Sequence, residues 1–170
     1  DESALTTDGT AEDGFPRELL WSPDSKKLVA MRVRKGESRK VSFVESSPKD
    51  QLQPKLHTID YPKPGDTIDQ PRPYLFDIET RKGIYVPDGI FATPWSIEDL
   101  RWSADSSRFS FVYNQRGHQV LRLIAVDAAT GAARTIADES PATFVDYTNK
   151  VFCFWLGDDE LVWMSERNGW

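Results

Sequence analysis

The sequence contains two clear copies of one pattern of apolar and polar positions. In the first copy, the short apolar run Glu18–Trp21 is followed by the polar turn Ser22–Ser25 and by a mainly apolar run, Lys26–Val33. Proline at the second turn position presets φ, and serine and aspartate side chains hydrogen-bond the nearby backbone. The pattern therefore predicts a β-hairpin. Because both alternating faces of its second strand are mostly apolar, that strand is predicted to lie in the middle of a sheet.

The second copy of the pattern spans Asp99–Asn114, and a weaker third copy spans Phe154–Trp163. The interval between Trp102 and Trp155 fits a propeller-blade repeat of about 40–50 residues. The interval between Trp21 and Trp102 is longer, which indicates an insertion in the first repeat.

Each of the first two hairpins is followed by a second pair of predicted strands, at 73–86 and at 120–136. Both pairs run through an apolar strand, an aspartate, a short loop with threonine and glycine, and a further strand. Gly83 and Gly131 are expected to supply positive φ in these loops. Four antiparallel strands per repeat are the content of one propeller blade. The predicted fold class is therefore all-β: a partial β-propeller with two four-stranded antiparallel blades plus part of a third.

This pattern divides the chain into four segments. A polar lead-in loop at 1–16 precedes the first blade at 17–90, the second blade at 91–140 and a partial third blade at 141–170. We place a proline-rich insertion within the first blade at 36–73, because six of the eleven prolines fall there: Pro48, Pro54, Pro62, Pro64, Pro71 and Pro73.

Three local features complete the prediction. Proline at such density excludes a central strand, so the insertion is expected to contain one edge strand at Lys40–Val44. A short turn at Thr93–Leu100 is the only helical segment expected. Asn168-Gly169 favours a type I′ hairpin turn, which needs a returning strand. We therefore expect the third blade to be truncated at this hairpin.

The charge and the motif content exclude several classes of function. The net charge of −6 argues against a nucleic-acid partner, and no apolar run reaches the roughly 18–20 residues of a membrane span. The sequence has no Gly-x-Ser-x-Gly nucleophile elbow and no glycine-rich phosphate motif. His57, His118 and the lone Cys153 do not form a zinc-ligand pattern. We predict no catalytic residue, metal or cofactor in this chain, which is therefore not expected to be an enzyme alone.

Two acidic pairs and the tryptophans are the remaining candidate binding residues. Glu12 and Asp13 could hold an amine or a cation, or could stand in a solvated loop. The pair Asp158 and Asp159 lies at the third-repeat turn, where turn chemistry explains it. The tryptophans could form a glycan-stacking platform, as in a sugar-binding sandwich, but their recurrence beside turns favours packing between blades.

Two further motifs resemble a known family. The stretch Tyr61–Asp66, followed by Gln70-Pro71 and the strand Tyr74–Asp77, is similar to the Tyr-Pro-Lys-Ala-Gly…Asn-Pro stretch of the dipeptidyl peptidase IV propeller. The ending Ser165–Trp170 is similar to the Ser-Glu-Arg-Asp-Gly-Trp hairpin of the same prolyl oligopeptidase-type serine peptidases. The resemblance covers roughly residues 17–170 and departs from the family at Pro64 and at Gln70.

The resemblance implies an N-terminal eight-bladed propeller that gates a separate C-terminal α/β-hydrolase domain, the missing partner that carries the catalytic triad and cleaves the peptide substrate. In the family, paired glutamates ahead of the Trp-Ser-Pro turn bind the substrate's N-terminus. Glu12 and Asp13 stand in that window here and are the candidate substrate-binding residues, although Gly14 and Pro16 disfavour the family's helical segment. A periplasmic or secreted location is also implied.

A freestanding TolB-like binding module for protein or peptide ligands is the alternative function. In either case an isolated set of blades has unpaired strand edges, so we expect self-association through them.

Overall fold

The computed structural model describes residues 3–16 and 18–169, and within these residues all regular secondary structure is β-strand. The predicted blade start at Arg17 and the hairpin residue Trp170 lie outside the described residues. The strands are β1 (Asp13–Gly14), β2 (Leu19–Trp21), β3 (Lys27–Arg34), β4 (Lys40–Glu45), β5 (Lys55–Asp60), β6 (Gln70–Asp77), β7 (Lys82–Ile84), β8 (Pro94–Trp102), β9 (Arg108–Gln115), β10 (Leu121–Asp127), β11 (Ala133–Glu139), β12 (Cys153–Leu156) and β13 (Glu160–Trp163).

The strands form two compact units, one from 1–34 and 70–170 and the other from 35–69. In the larger unit, the first sheet has β3 at its centre. Strand β6 pairs with one edge of β3, and both β1 and β2 pair with the other edge. The predicted hairpin and its central second strand are therefore confirmed.

The second sheet is the four-stranded antiparallel meander β8-β9-β10-β11. The helical turn expected at Thr93–Leu100 was wrong, because this segment lies in or next to β8. The register of β8 against β9 shifts once between Pro94 and Ser96 and again between Glu98 and Arg101. Each shift inserts an extra residue, which breaks the two-residue alternation by which a strand is recognised.

Strands β12 and β13 form a third, two-stranded sheet. A hydrogen bond from the Gly169 amide to the Glu166 carbonyl (3.0 Å) closes the turn beyond β13, and Gly169 takes a φ of 82°. The predicted type I′ turn would also involve Trp170, outside the described residues. The three antiparallel sheets of this unit form the predicted partial β-propeller.

Apolar clusters fill the spaces between successive blades. The first joins Val29 and Leu75 to side chains of β9 and β10, including Phe111 and Ile124. The second lies between the second and third blades and includes the residues Val112, Leu121, Leu123, Trp155 and Trp163. Trp102, Trp155 and Trp163 thus pack between blades as predicted, whereas Trp21 is 51% exposed.

Polar contacts also join the blades at their turns. The Trp102 indole Nε1–H donates to the Leu20 carbonyl at 3.1 Å. The Asp24 amide donates to the Ser106 hydroxyl at 3.1 Å, and the Ala104 amide donates to Asp158 Oδ2 at 2.7 Å. The repeated turns therefore bind the next blade as well as reversing the chain.

The smaller unit is a β4–β5 hairpin, paired from Lys40↔Asp60 to Glu45↔Lys55. The edge strand expected at Lys40–Val44 is present as β4, but its partner β5 was not predicted. His57 stacks on Phe43 and lies 2.8 Å from Glu45.

Replacing Trp102 with phenylalanine tests the contact between the first two blades. Trp102→Phe keeps an aromatic ring but leaves the Leu20 carbonyl without its indole donor, so we expect a loss of about 1–2 kcal/mol in the free energy of unfolding. Trp21→Phe, at the repeat-equivalent exposed position, is the matched control and is expected to change it by less than about 0.5 kcal/mol. Urea denaturation measures the free energy of unfolding of both variants. Equal losses would contradict a stabilising contact between the Trp102 indole and the Leu20 carbonyl.

The turn carboxylates predict the acid sensitivity of the fold. The Ser103 hydroxyl, followed by the Ser107 amide, lowers the pKa of Asp105 to about 2 from its ordinary 3.8, and the Ser22 hydroxyl likewise lowers the pKa of Asp24. A carboxyl whose pKa is lower in the folded state stabilises the fold above its unfolded pKa. This contribution should be present above about pH 4 and should be lost as the pH falls towards about 2.

Asp105→Asn should make the urea midpoint fall less steeply between about pH 5 and about pH 2 than in the unmodified chain. Glu79→Gln removes an exposed carboxylate outside these turns and is the control. An Asp105→Asn profile that follows the unmodified chain through this range would rule out the turn as a source of acid sensitivity.

Candidate functional site

Arg32 on β3 is the centre of a charged cluster at the end of the first sheet. Its Nε donates to Asp13 Oδ1 at 2.7 Å, and its Nη1 donates to Asp8 Oδ2 at 2.6 Å. The guanidinium lies 5.6 Å from the ring centroid of Phe15 and 5.4 Å from that of Tyr74. The hydrogen bond to Asp13, and then that to Asp8, raises the pKa of Arg32, so this side chain remains charged.

A tight turn in the lead-in segment positions Asp13. The Thr10 amide donates to the Asp13 carbonyl at 2.8 Å, and the Asp13 amide donates to the Thr10 hydroxyl at 3.0 Å. Asp13 and Gly14 then form β1. A Cβ atom on Gly14 would lie 2.6 Å from the Thr10 carbonyl oxygen, so glycine is needed here.

The lead-in covers one face of the first sheet, and its residues match that face in polarity. Leu5 and Phe15 pack against the cluster of Leu28, Ala30 and Phe76. Alternate residues of a strand share a face, so Arg32 and Arg34 continue the face of Leu28 and Ala30. Asp8 and Asp13 contact the basic end of this face.

A cavity of about 300 Å³ opens at this basic end, and its lining residues are Asp8, Asp13, Arg32, Arg34, Gln70, Arg72 and Tyr74. Of the two predicted substrate-binding residues, Asp13 lines the cavity, whereas Glu12 is exposed and does not line it. The three arginines of the cavity were not predicted from the sequence. The alternations Arg32-x-Arg34 on one strand and Arg72-x-Tyr74 on another could have indicated that these side chains share a face.

A second cavity, of about 610 Å³, lies beside β11 and the turn after β13. Its charged groups largely pair with one another: Arg167 lies 2.9 Å from Glu139, and Lys150 lies 2.5 Å from Glu166. Burial raises the pKa of Glu139, but hydrogen bonds from Arg167 and Trp163 outweigh burial and hold that pKa below its ordinary value. The acidic pair at 158–159 also contacts the second blade, where Asp158 accepts a hydrogen bond from Arg101 at 3.0 Å.

The structure adds three observations on other chemistry. In the described part of the chain, no group of three or more His, Cys, Asp or Glu side chains is placed to hold a metal ion. No helix in that same part is long and apolar enough to cross a membrane. Cys153 is partly buried, and burial raises the pKa of its thiol, which disfavours the reactive thiolate.

A family profile described as "Dipeptidyl peptidase IV (DPP IV) N-terminal region" matches residues 14–170. The chain belongs to this family. The match covers all three blades and every arginine of the smaller cavity, and it begins at Gly14, one residue after Asp13.

Solved structures similar to this dipeptidyl peptidase IV N-terminal region share its fold. One is a protein described as a dipeptidyl aminopeptidase IV from Bacteroides ovatus ATCC 8483, with a TM-score of 0.66 and 18% identity over 99% of this chain. Another is Porphyromonas gingivalis dipeptidyl peptidase 4, with a TM-score of 0.66 and 18% identity over 97% of this chain. The chain spans 25% of the length of each. No curated protein sequence matches it.

Proposed function

We propose that this chain is a non-catalytic propeller segment of a dipeptidyl-peptidase-type serine exopeptidase. In this proposal it gates access and helps to bind the N-terminus of peptides, and a separate C-terminal α/β-hydrolase domain cleaves them. The family match over 14–170 supports this function over a freestanding TolB-like module. The family resemblance also supports a periplasmic or secreted location.

The observation that carries the proposal is that Asp13 lines the smaller cavity, at the basic end of the first sheet. Its Oδ1 accepts from Arg32, but its Oδ2 lies 3.8 Å from Arg34 Nε, which is too far for a hydrogen bond. Oδ2 can therefore accept from a peptide ammonium, and the exposed carboxylate of Glu12 is adjacent in sequence. We propose that Asp13 and Glu12 together bind the substrate's amino group.

The amine role predicts a difference between free and acetylated peptides. Gly-Pro-Ala-amide should bind about fivefold more tightly than its N-acetyl form, because a partly exposed ion pair contributes up to about 1 kcal/mol. Glu12→Gln should reduce this difference, and Asp13→Asn should abolish it. Titrations followed by amide NMR shifts measure the affinities, with Glu79→Gln as the control.

Equal affinities of the free and acetylated peptides for the unmodified chain would contradict the amine role. Because Asp13→Asn also removes a partner of Arg32, its urea midpoint is measured alongside. A midpoint so low that the variant is unfolded without urea would identify unfolding as the cause of any lost binding, and Glu12→Gln then decides the question.

Self-association is a further part of the proposal, supported by the outer side of the third sheet. One side of β12 and β13 packs on the second blade through Cys153, Trp155, Leu161 and Trp163. The other side exposes the large apolar residues Phe152, Phe154, Leu156, Val162 and Met164. Contiguous exposed apolar surface of this kind favours association.

We expect light scattering to show a mass above that of the monomer that increases with protein concentration. Phe154→Lys should shift the distribution towards monomer, because a charge would have to be buried in the contact. Leu52→Lys, at an exposed leucine in the smaller unit, should leave the distribution unchanged. A single monomeric species at every concentration would exclude self-association.

A further inference from the structure

We propose that Arg34 and Arg72 form a carboxylate-binding site in the smaller cavity, at the basic end of the first sheet. We propose further that they select peptides with an acidic side chain close to the amino terminus. The identity of the ligand as a peptide rests on the proposed function. The carboxylate site itself rests on the arrangement of the arginines.

The sheet register places three arginines together. Arg32 and Arg34 are alternate residues of β3, and Arg72 on β6 is the direct cross-strand partner of Arg32. Like charges directly opposite one another destabilise a sheet unless anions compensate them. The three arginines therefore need anionic partners, and these partners are distributed unequally among them.

Arg32 receives most of the compensation. It binds both Asp8 and Asp13 at hydrogen-bond distance, and its side chain is only 13% exposed. By contrast, among the residues that the structure describes, Arg34 has only the 3.8 Å contact to Asp13, and its side chain is 61% exposed. Arg72 Nη1 lies 3.4 Å from Asp88 Oδ2, and this side chain is 43% exposed.

Arg34 and Arg72 therefore retain donors for a ligand. A guanidinium carries five N–H donors in a planar fork that matches the two oxygens of a carboxylate. The lining residues of the cavity contain three arginines and two aspartates, so one bound carboxylate would balance their formal charge. The Tyr74 hydroxyl, which also lines the cavity, is a further potential donor.

The dimensions of the cavity indicate which carboxylate fits. A volume of about 300 Å³ is at the lower end for ligand pockets, and it suits one acidic side chain better than several residues of peptide. Asp13 lines the same cavity. An N-terminal glutamate could therefore place its ammonium at Asp13 and its side-chain carboxylate at Arg34 and Arg72.

A titration of the 170-residue chain with four peptides separates the two roles. The peptides are Glu-Pro-Ala-amide, Gln-Pro-Ala-amide and the N-acetyl form of each. In 50 mM salt we expect the glutamate peptide to bind about five- to tenfold more tightly than the glutamine peptide, as for a charge-assisted bidentate contact. The preference should decrease at high salt, because ions screen exposed charges. A fifth peptide, Gln-Pro-Ala with a free C-terminal carboxylate, distinguishes a side-chain carboxylate from a chain-end carboxylate.

Arg34→Gln and Arg72→Gln should each reduce the preference for glutamate, measured as the ratio of the affinities for the glutamate and glutamine peptides, to about twofold or less. Arg134→Gln, at an exposed arginine of β11, makes the same charge change elsewhere and should preserve the preference.

Equal binding of the glutamate and glutamine amides by the unmodified chain would overturn the proposal, as would a glutamate preference that survives both arginine substitutions. A glutamate preference that is equal in free and acetylated peptides supports the carboxylate site and contradicts only the amine role of Asp13. Equally tight binding of the peptide with the free C-terminus would overturn the selection of an acidic side chain, because it assigns the bound carboxylate to the chain end.

Discussion

The double ion pair of Arg32 is the interaction on which the candidate site depends. Its guanidinium is largely removed from water, and a desolvated charge is stable only with close partners of opposite sign. Both partners, Asp8 and Asp13, come from the lead-in segment. The ion pairs therefore hold the lead-in on the face of the first sheet, where Leu5 and Phe15 cover the apolar cluster next to them.

The same constraint gives the site its chemistry. Because the two aspartates pair first with Arg32, the remaining arginines of the cavity are incompletely neutralised. The resemblance to the dipeptidyl peptidase IV family implies that, in that family, paired glutamates ahead of the Trp-Ser-Pro turn bind an amine. Here the corresponding window includes the short strand β1 and contributes the carboxylate of Asp13 to a cavity that three arginines and Asp8 also line. We infer that this propeller binds both charges of a short, acidic peptide end.

The features that the sequence predicts correctly are local, and those that it misses depend on register. The turn at Ser22–Ser25 is encoded by its own residues, since proline fixes φ and Ser22 donates to Asp24 at 2.6 Å. The bulges of β8 have no comparable marker, because they arise from its pairing with β9. The opposition of Arg32 and Arg72 likewise follows only from the pairing of β3 with β6, which residues 35–69 separate in sequence. For this reason Asp13 was a candidate from the sequence, whereas its arginine neighbours were not.

The most direct measurement of this account is the nitrogen-15 NMR signal of each arginine Nε–Hε group during titration with Glu-Pro-Ala-amide. We expect the signals of Arg34 and Arg72 to shift together as the peptide binds. The Arg32 signal should change little and should remain protected from solvent exchange, because its donors are already bound to Asp8 and Asp13. Binding that leaves Arg34 and Arg72 unchanged, or that displaces Arg32 from its aspartates, would contradict the account.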